Sequence, residues 1–382
     1  MQRRPTVPVG LRHRSAPASA AAVTVAVTAA LLLSPSTSNA GNVATGAAAS
    51  AAQVRHRVVV DGLDNPRQLS LTHDGRVVIA EAGHGSYQQK NCSGSGRSEL
   101  CVGLSGKVSV LADGEVRRVM TRLLSAAGAD GSFATGPDGA GKRPGGRFQA
   151  IMTYGPPEFF PEGIPGRRQT GKLVAGAGDR NRIIANVSRF EINRDPDGEG
   201  VDSNPYSLLA LRNKTLVADA AGDYIAAVRR GGKIRLWATL PEYGARIDAV
   251  PTVVSLGGDG NVYVGELHSE IPKEARVWKY DRRGNVLRSW GGFTTVTGVA
   301  RTKNGTLYVS ELFGGDCDGD DCFPGRVVKV APNGKRSSTN VPFPAGIVAR
   351  GDRVLVSAFS ISPAKGFAGN PAFSGQIWRL LF

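Results

Sequence analysis

The most regular feature of the chain is a tight polar turn followed by an apolar run that ends on an acid. Asp74-Gly75 leads into Arg76-Val77-Val78-Ile79-Ala80-Glu81, and Asp259-Gly260 into Asn261-Val262-Tyr263-Val264-Gly265-Glu266. Asn304-Gly305 leads into Thr306-Leu307-Tyr308-Val309-Ser310-Glu311, and Arg212-Asn213-Lys214-Thr215-Leu216-Val217-Ala218-Asp219 is a degenerate copy. Gly171-Lys172-Leu173-Val174-Ala175 and Asp352-Arg353-Val354-Leu355-Val356-Ser357 are weaker ones. Runs rich in β-branched and aromatic residues behind Asp-Gly or Asn-Gly read as strands in hairpins, because Gly and Asn accept a positive φ.

A second series has the same spacing. Gly106 to Val110, Arg276 to Tyr280, Gly325 to Lys329 and Gly375 to Arg379 match one another, with Val187 to Phe190 and Ile225 to Val228 filling the two remaining places. The turns at 75, 171, 213, 260, 305 and 352 recur at about 45 residues, with one wider gap after the first. Six repeats of roughly four strands predict an all-β chain folded as a six-bladed β-propeller. The last repeat stops after its third strand, while Arg55 to Val60 is a spare strand before the first. Pairing that N-terminal strand into the last blade closes the ring and removes an exposed edge. The propeller is expected over 54–382, with insertions at 82–105 and 125–168.

Composition agrees with this reading. The 382 residues include 50 Gly and 22 Pro, with 41% hydrophobic and 21% charged residues, which excludes helical bundles and coiled coils. Residues 1–40 read as a secretory signal peptide: Arg3, Arg4, Arg12 and Arg14 precede an uncharged stretch from Ala20 to Leu33, and Ser38-Asn39-Ala40 offers a cleavage site. Residues 41–53 are Ala-rich and expected to be a disordered tether. The expectation is a secreted, extracellular protein, monomeric, with no transmembrane segment once the signal is cleaved. The formal charge of +15 falls to about +11 without the four leader arginines. Arg117-Arg118, Arg229-Arg230, Arg282-Arg283 and Lys335-Arg336 sit at or beside third-to-fourth-strand turns. They suit an anionic cell-wall polymer better than nucleic acid, for which no recognition motif is present.

Four cysteines fit export. Cys92 with Cys101 and Cys317 with Cys322 are the favoured disulfides of the three possible connectivities. Zinc is the weaker reading, because neither pair has C-x2-C spacing.

The chain resembles the ScyD/ScyE family of exported proteins, themselves similar to the NHL and SMP-30 propellers. The residues that carry the resemblance include Gly62-Leu63-Asp64-Asn65-Pro66-Arg67 and Asp202-Ser203-Asn204-Pro205-Tyr206. Val250-Pro251-Thr252, Gly292-Phe293-Thr294 and Pro344-Ala345-Gly346 extend it. The resemblance implies a six-bladed propeller and no particular reaction. After Glu266 the chain departs from the family's Gly/Pro-rich loop with Leu267-His268-Ser269-Glu270.

Strand order places the candidate chemistry on one face. Glu81, Asp219, Glu266 and Glu311 each end a second strand, and Asn65, Arg67, Asn204 and Tyr206 enter first strands from the same end. Each terminal acid is expected first to cap its own blade, binding backbone amides or a neighbouring Arg. Carboxylates and amides converging on an axis also suit Ca2+, and in a lactonase-type enzyme Glu81, Asn204, Glu266 and Glu311 are the candidate ligand set. His84 and His268 are then the general-base candidates. The leading expectation is a propeller that binds a small molecule, an exported protein or a cell-surface partner on this insertion-rich, acidic face. The alternative is a Ca2+-dependent hydrolase or lactonase of SMP-30-like type using the axial carboxylates. The acidic loops Asp195 to Asp202 and Asp316 to Cys322 read as solvated loops before they read as sites.

Overall fold

The computed structural model describes residues 56–96, 99–153, 160, 163–164, 166–241, 243, 248–314 and 324–382. Strand β1 (His56–Leu63) comes first. Blade 1 holds β2 (Pro66–Leu71), β3 (Val77–Glu81), β5 (Leu100–Ala112) and β6 (Glu115–Ala127), with the short β4 (Cys92–Ser93) beside β5. Blade 2 holds β7 (Pro137–Lys142), β8 (Phe148–Met152), β9 (Lys172–Ala177) and β10 (Arg180–Asn186), followed by helix α1 (Val187–Arg194). Blade 3 is β11 (Pro205–Ala210), β12 (Lys214–Asp219), β13 (Tyr224–Arg229) and β14 (Ile234–Thr239). Blade 4 is β15 (Pro251–Leu256), β16 (Val262–Glu266), β17 (Ala275–Tyr280) and β18 (Val286–Phe293). Blade 5 is β19 (Val296–Arg301), β20 (Leu307–Glu311), β21 (Arg326–Val330) and β22 (Arg336–Asn340).

Blade 6 takes β23 (Ile347–Arg350), β24 (Arg353–Ala358) and β25 (Gly375–Leu380) from the end of the chain, and β1 completes it. His56 faces Leu380 and Val60 faces Ile377 in this antiparallel closure. The six-bladed ring closed by an N-terminal strand is therefore the fold.

The hydrophobic pattern follows from the stacking of blades. Strands β3, β16 and β20 are buried at every position, because each lies between two neighbouring blades. Alternate side chains serve opposite neighbours. Val78 and Ala80 pack with Ala140 and Ala150 of blade 2, whereas Val77 and Ile79 pack with Val348 and Leu355 of blade 6. The same division puts Val262 and Val264 against blade 3 and Tyr263 against blade 5. Outer strands such as β14 and β22 are largely exposed, which limits the apolar stretch in each repeat to its inner strands.

Blade 2 departs from the expected repeat. The stretch 125–168 contains β7 and β8 and so supplies the blade's two inner strands instead of looping out of it. The turn at Gly171 enters β9, the third strand of the blade. Val187 to Phe190 begins a helix rather than a strand, capped by the Asn186 side chain, which accepts from the Arg189 N–H at 3.1 Å. The cause is local: Pro137-Asp138-Gly139-Ala140-Gly141-Lys142 has little β-propensity. Its small residues are required by close packing, since a Cβ on Gly139 would meet Gln68, Ile151 and the Leu208 amide.

Candidate functional site

Glu81, Asp219, Glu266 and Glu311 do share one end of the ring, and all four are buried. They sit on second strands, one strand out from the axis, and each finds its partners inside its own blade. Glu81 accepts from the Asp64 N–H at 3.0 Å and from Ser109 Oγ. Asp219 accepts from Ser203 Oγ at 2.7 Å, the Asn204 N–H and the Tyr224 hydroxyl. Glu266 accepts from the Arg276 N–H at 2.9 Å, Trp278 Nε1 at 2.7 Å and the Tyr243 hydroxyl. Glu311 accepts from the Thr294 N–H at 2.7 Å and from Arg326 Nε. Burial raises all four pKa values against these donors, Glu266 to about 7 and Asp219 to about 6.

A cross-strand rule runs through these contacts. A residue of the third strand stands directly opposite the acid: Lys107 opposite Glu81, Tyr224 opposite Asp219 and Arg326 opposite Glu311. In blade 6, where Ala358 replaces the acid, uncharged Gln376 stands opposite. The acids fasten second strands to third strands and to the incoming loop.

The expected ligand set Glu81, Asn204, Glu266 and Glu311 is thus spread over four blades, and each of its acids has donors of its own. Among the described residues, no group of three acidic, His or Cys ligand atoms within 4.8 Å of one another includes any of the three glutamates. Asn204 gives its N–H to Asp219, while its buried Oδ1 has no hydrogen-bond partner among the described residues.

The axis itself is lined by bulge residues. A register shift directly after each entering residue turns Arg67, Asp138, Tyr206, Thr252 and Thr297 out of the ladder. Arg67 Nε lies 3.3 Å from Asp138 Oδ1, and its Nη2 donates to the Ala134 carbonyl. Burial pushes Asp138 up to about 7 against the pull of Arg67, and pushes Tyr206 up to about 12. Gln68 crosses the middle of the ring, donating to the Leu208 carbonyl at 3.0 Å and accepting from the Leu208 N–H at 3.1 Å. Asn65 is fully buried and bonds Gly83, Gly131 and Ala134 of neighbouring loops. It holds loops together and presents nothing to solvent.

The two candidate bases differ. His84 keeps its Nδ1 3.1 Å from Asp64 Oδ2 and stacks on Tyr87 at 4.4 Å. Asp64 also takes Lys107 Nζ at 2.6 Å and the Ala364 N–H at 2.8 Å; burial pushes its pKa up, yet His84 and Lys107 bring it well below the ordinary carboxylate range. His268 is buried, lies flat on Tyr243 at 4.5 Å and is held toward its neutral form by burial. Among the described residues, His84 and His268 share no partner, and only His84 has a carboxylate orienting its ring.

The loops on this face divide into two kinds. Phe133, Phe313, Phe343 and Phe367 form a run of ring contacts at 6.0 to 6.2 Å over blades 5, 6 and 1. Asp195, Asp197, Glu199, Asp202, Asp223 and Asp248 crowd together around blade 3. Cys92 and Cys101 are joined in a disulfide across the β4–β5 pair. Cys317, Cys322 and the loop Asp316 to Cys322 lie outside the described residues. The paired Arg and Lys of the other face, 117–118, 229–230, 282–283 and 335–336, are exposed.

The sequence led us to expect a backbone amide or a neighbouring Arg for each acid, which the Arg276 N–H and Arg326 supply, but not which residues these are, nor Lys107 beside Glu81. Sequence reasoning also missed Asp64, Asp138 and Glu191. Asp138 and Glu191 fall in the stretches of blade 2 and α1 where the repeat was misread. Among the described residues, no helix is long and apolar enough to cross a membrane.

No family model matches the chain, and no curated protein matches it in sequence. Among solved structures, a luciferin-regenerating enzyme aligns over 86% of this chain and 95% of its own, with 10% identity and a TM-score of 0.50. Regucalcin from Agrobacterium tumefaciens, described as a calcium-binding protein, covers 86% of this chain and 94% of its own at 10% identity and a TM-score of 0.47. A streptogramin B lyase covers 86% and 97% at 11% identity and a TM-score of 0.46. At such identities the likeness is one of fold, that of the six-bladed β-propeller.

Proposed function

We infer that this chain is an exported binding propeller of the ScyD/ScyE kind, which takes a small molecule or a protein or cell-surface partner on its loop-rich, acidic face. One observation carries the reading. The strand-end carboxylates are already answered within their own blades, whereas the loops carry further acids around blade 3 and, in Phe133, an exposed aromatic ring. A phenylalanine arc facing an acidic lip across the ring complements a partner with an apolar body and a positive charge. The exposed basic pairs of the opposite face suit adhesion to an anionic wall polymer, an attraction that weakens with salt.

The test uses benzyltrimethylammonium and benzoate as probes of opposite charge. Saturable binding of the cation alone, weakened by Phe133→Ala and by salt, supports the reading. Equal binding of both, or of neither, overturns it.

A second reading rests on His84, whose ring is oriented by Asp64 as a general base would be. It makes the chain a hydrolase or lactonase of SMP-30-like type. Turnover of any member of a lactone and ester panel, lost in His84→Ala, would reverse the ranking.

A further inference from the structure

We propose a divalent-cation site suited to Ca2+ between the last turn of α1 and the loop behind it, with Glu191, Asp195 and Asp197 as ligands. Glu191 has no exposed surface, and neither of its carboxylate oxygens has a hydrogen-bond partner among the described residues. An ionised carboxylate in that position is strongly unfavourable without a counter-charge. None of the ion pairs among the described residues reaches Glu191, Asp195 or Asp197.

The geometry supplies the place for the missing charge. One oxygen from each of Glu191, Asp195 and Asp197 lies within 4.8 Å of the others. That is about twice a Ca–O distance of roughly 2.4 Å, so one ion can touch all three. Asp195 ends α1 in the left-handed region (φ 43°, ψ 67°) while its N–H donates to the Glu191 carbonyl at 2.8 Å. The Gly200 N–H donates to Asp195 Oδ1 and the Glu199 N–H to Asp197 Oδ1, both at 3.2 Å, which orients the two carboxylates. The negative end of the helix points the same way, and its last carbonyls are further oxygen donors.

Neighbouring charges add to the field. Glu199, Asp223 and Asp248 form a second group with carboxylate oxygens within 4.8 Å. Burial first, and then the carboxylates of Asp219, Asp197, Asp195 and Asp202, push Glu191 up to about 8 in the absence of a cation. An irregular cage of carboxylates and carbonyls suits Ca2+, which takes six to eight oxygens, better than Mg2+, which needs a near-ideal octahedron and retains its waters. The site shares Asp195 and Asp197 with the acidic lip of the proposed binding face, so Ca2+ bound there would lower the lip's pull on a cationic partner.

The full-length chain, stripped with a chelator, is titrated with CaCl2 and with MgCl2 by calorimetry and followed by thermal unfolding. A second readout is Tb3+ luminescence sensitised by Tyr224, since a Cβ on Gly222 would touch both Tyr224 and Glu191 Oε2. Ca2+ is expected to release or absorb heat, to raise the unfolding midpoint more than Mg2+ does, and to quench the Tb3+ signal by displacement. Glu191→Gln and Asp197→Asn are each expected to weaken Ca2+ roughly tenfold or more, with Glu266→Gln leaving it unchanged. Asp197 is on a half-buried loop, so its variant keeps the test alive if the Glu191 variant does not fold. Absence of heat and midpoint shift at millimolar Ca2+, unchanged affinity in Asp197→Asn, or equal response to Mg2+ would overturn the proposal. Because the probe is the metal alone, its failure leaves the Phe133 binding test standing.

Discussion

Lys107 reaches from the third strand of blade 1 to Asp64, 2.6 Å away on the chain that enters the first strand. The same ammonium is 3.8 Å from Glu81, so one cation serves two buried carboxylates.

Replacing this lysine removes the charge while leaving both acids in place. Breaking a buried pair from one side costs about 3–5 kcal/mol, mainly through the charges left unpaired. Lys107→Met is expected to lose about 3 kcal/mol in urea unfolding. A loss under about 0.5 kcal/mol would mean that the contact behaves like a surface ion pair.

The buried acids give the stability a two-sided pH profile. Asp64 is held below its ordinary range, so its contribution is present above about pH 4 and lost as pH falls further. Glu266 and Asp138 are raised to about 7, so the folded state binds more protons than the unfolded chain between about pH 4 and 7. Their effect is a loss of stability as pH rises through that window. Thermal midpoints are expected to fall by about 2 °C or more from pH 5 to pH 8, and Glu266→Gln is expected to flatten the slope. A midpoint that rises steadily to pH 8 in both proteins contradicts this assignment.

Gly346 lies where blade 6 meets blade 1. Its N–H donates to the Arg67 carbonyl at 3.2 Å, and a Cβ there would clash with the backbone of Gln68 and Leu69. Neither neighbour can move without shifting a first strand. Gly346→Ala is expected to destabilise by roughly 3 kcal/mol or more, read as a lower denaturation midpoint. A wild-type midpoint would show that the inner strands have slack.

The Cys92–Cys101 disulfide closes a short loop, with a sequence separation of 9. Chain entropy assigns such a loop at most about 3 kcal/mol. Replacing both cysteines by Ala is therefore expected to lower stability by no more than that and to leave the propeller folded by circular dichroism. Complete unfolding of the double variant would show that the bridge holds more than its own loop.

Much of the ring was readable from residues alone, because β3, β12, β16 and β20 repeat one motif: turn, alternating strand, acid. The motif survives because each acid has a fixed cross-strand job, visible as Lys107, Arg276 and Arg326 at matching positions. Blade 2 lacks the motif. Its second strand ends in Met152, and its first is a Gly-rich segment whose strand character comes from packing against Gln68 and Leu208. The candidate site was less readable still. That carboxylates share an end of the ring follows from topology, but whether they share a ligand depends on donors such as Trp278 and Tyr243 that no local pattern ties to Glu266. Glu191 was hidden because an apolar reading of Val187 to Phe190 as a strand drew attention from the helix that buries it.

The pairing of β1 with β25 also sets an order of events. His56 and Leu380 are partners, yet nearly the whole propeller lies between them. Blades 1 to 5 are each built from consecutive strands and can assemble as the chain emerges, whereas blade 6 stays a three-stranded sheet until β1 returns to it. Closing a loop of that length costs about 5 kcal/mol of chain entropy before any contact repays it. Ring closure is thus the natural slow step, and until it occurs the free edge of β25 is open to the β1 of a second molecule. Domain-swapped dimers formed during concentrated refolding would be the trace of that competition.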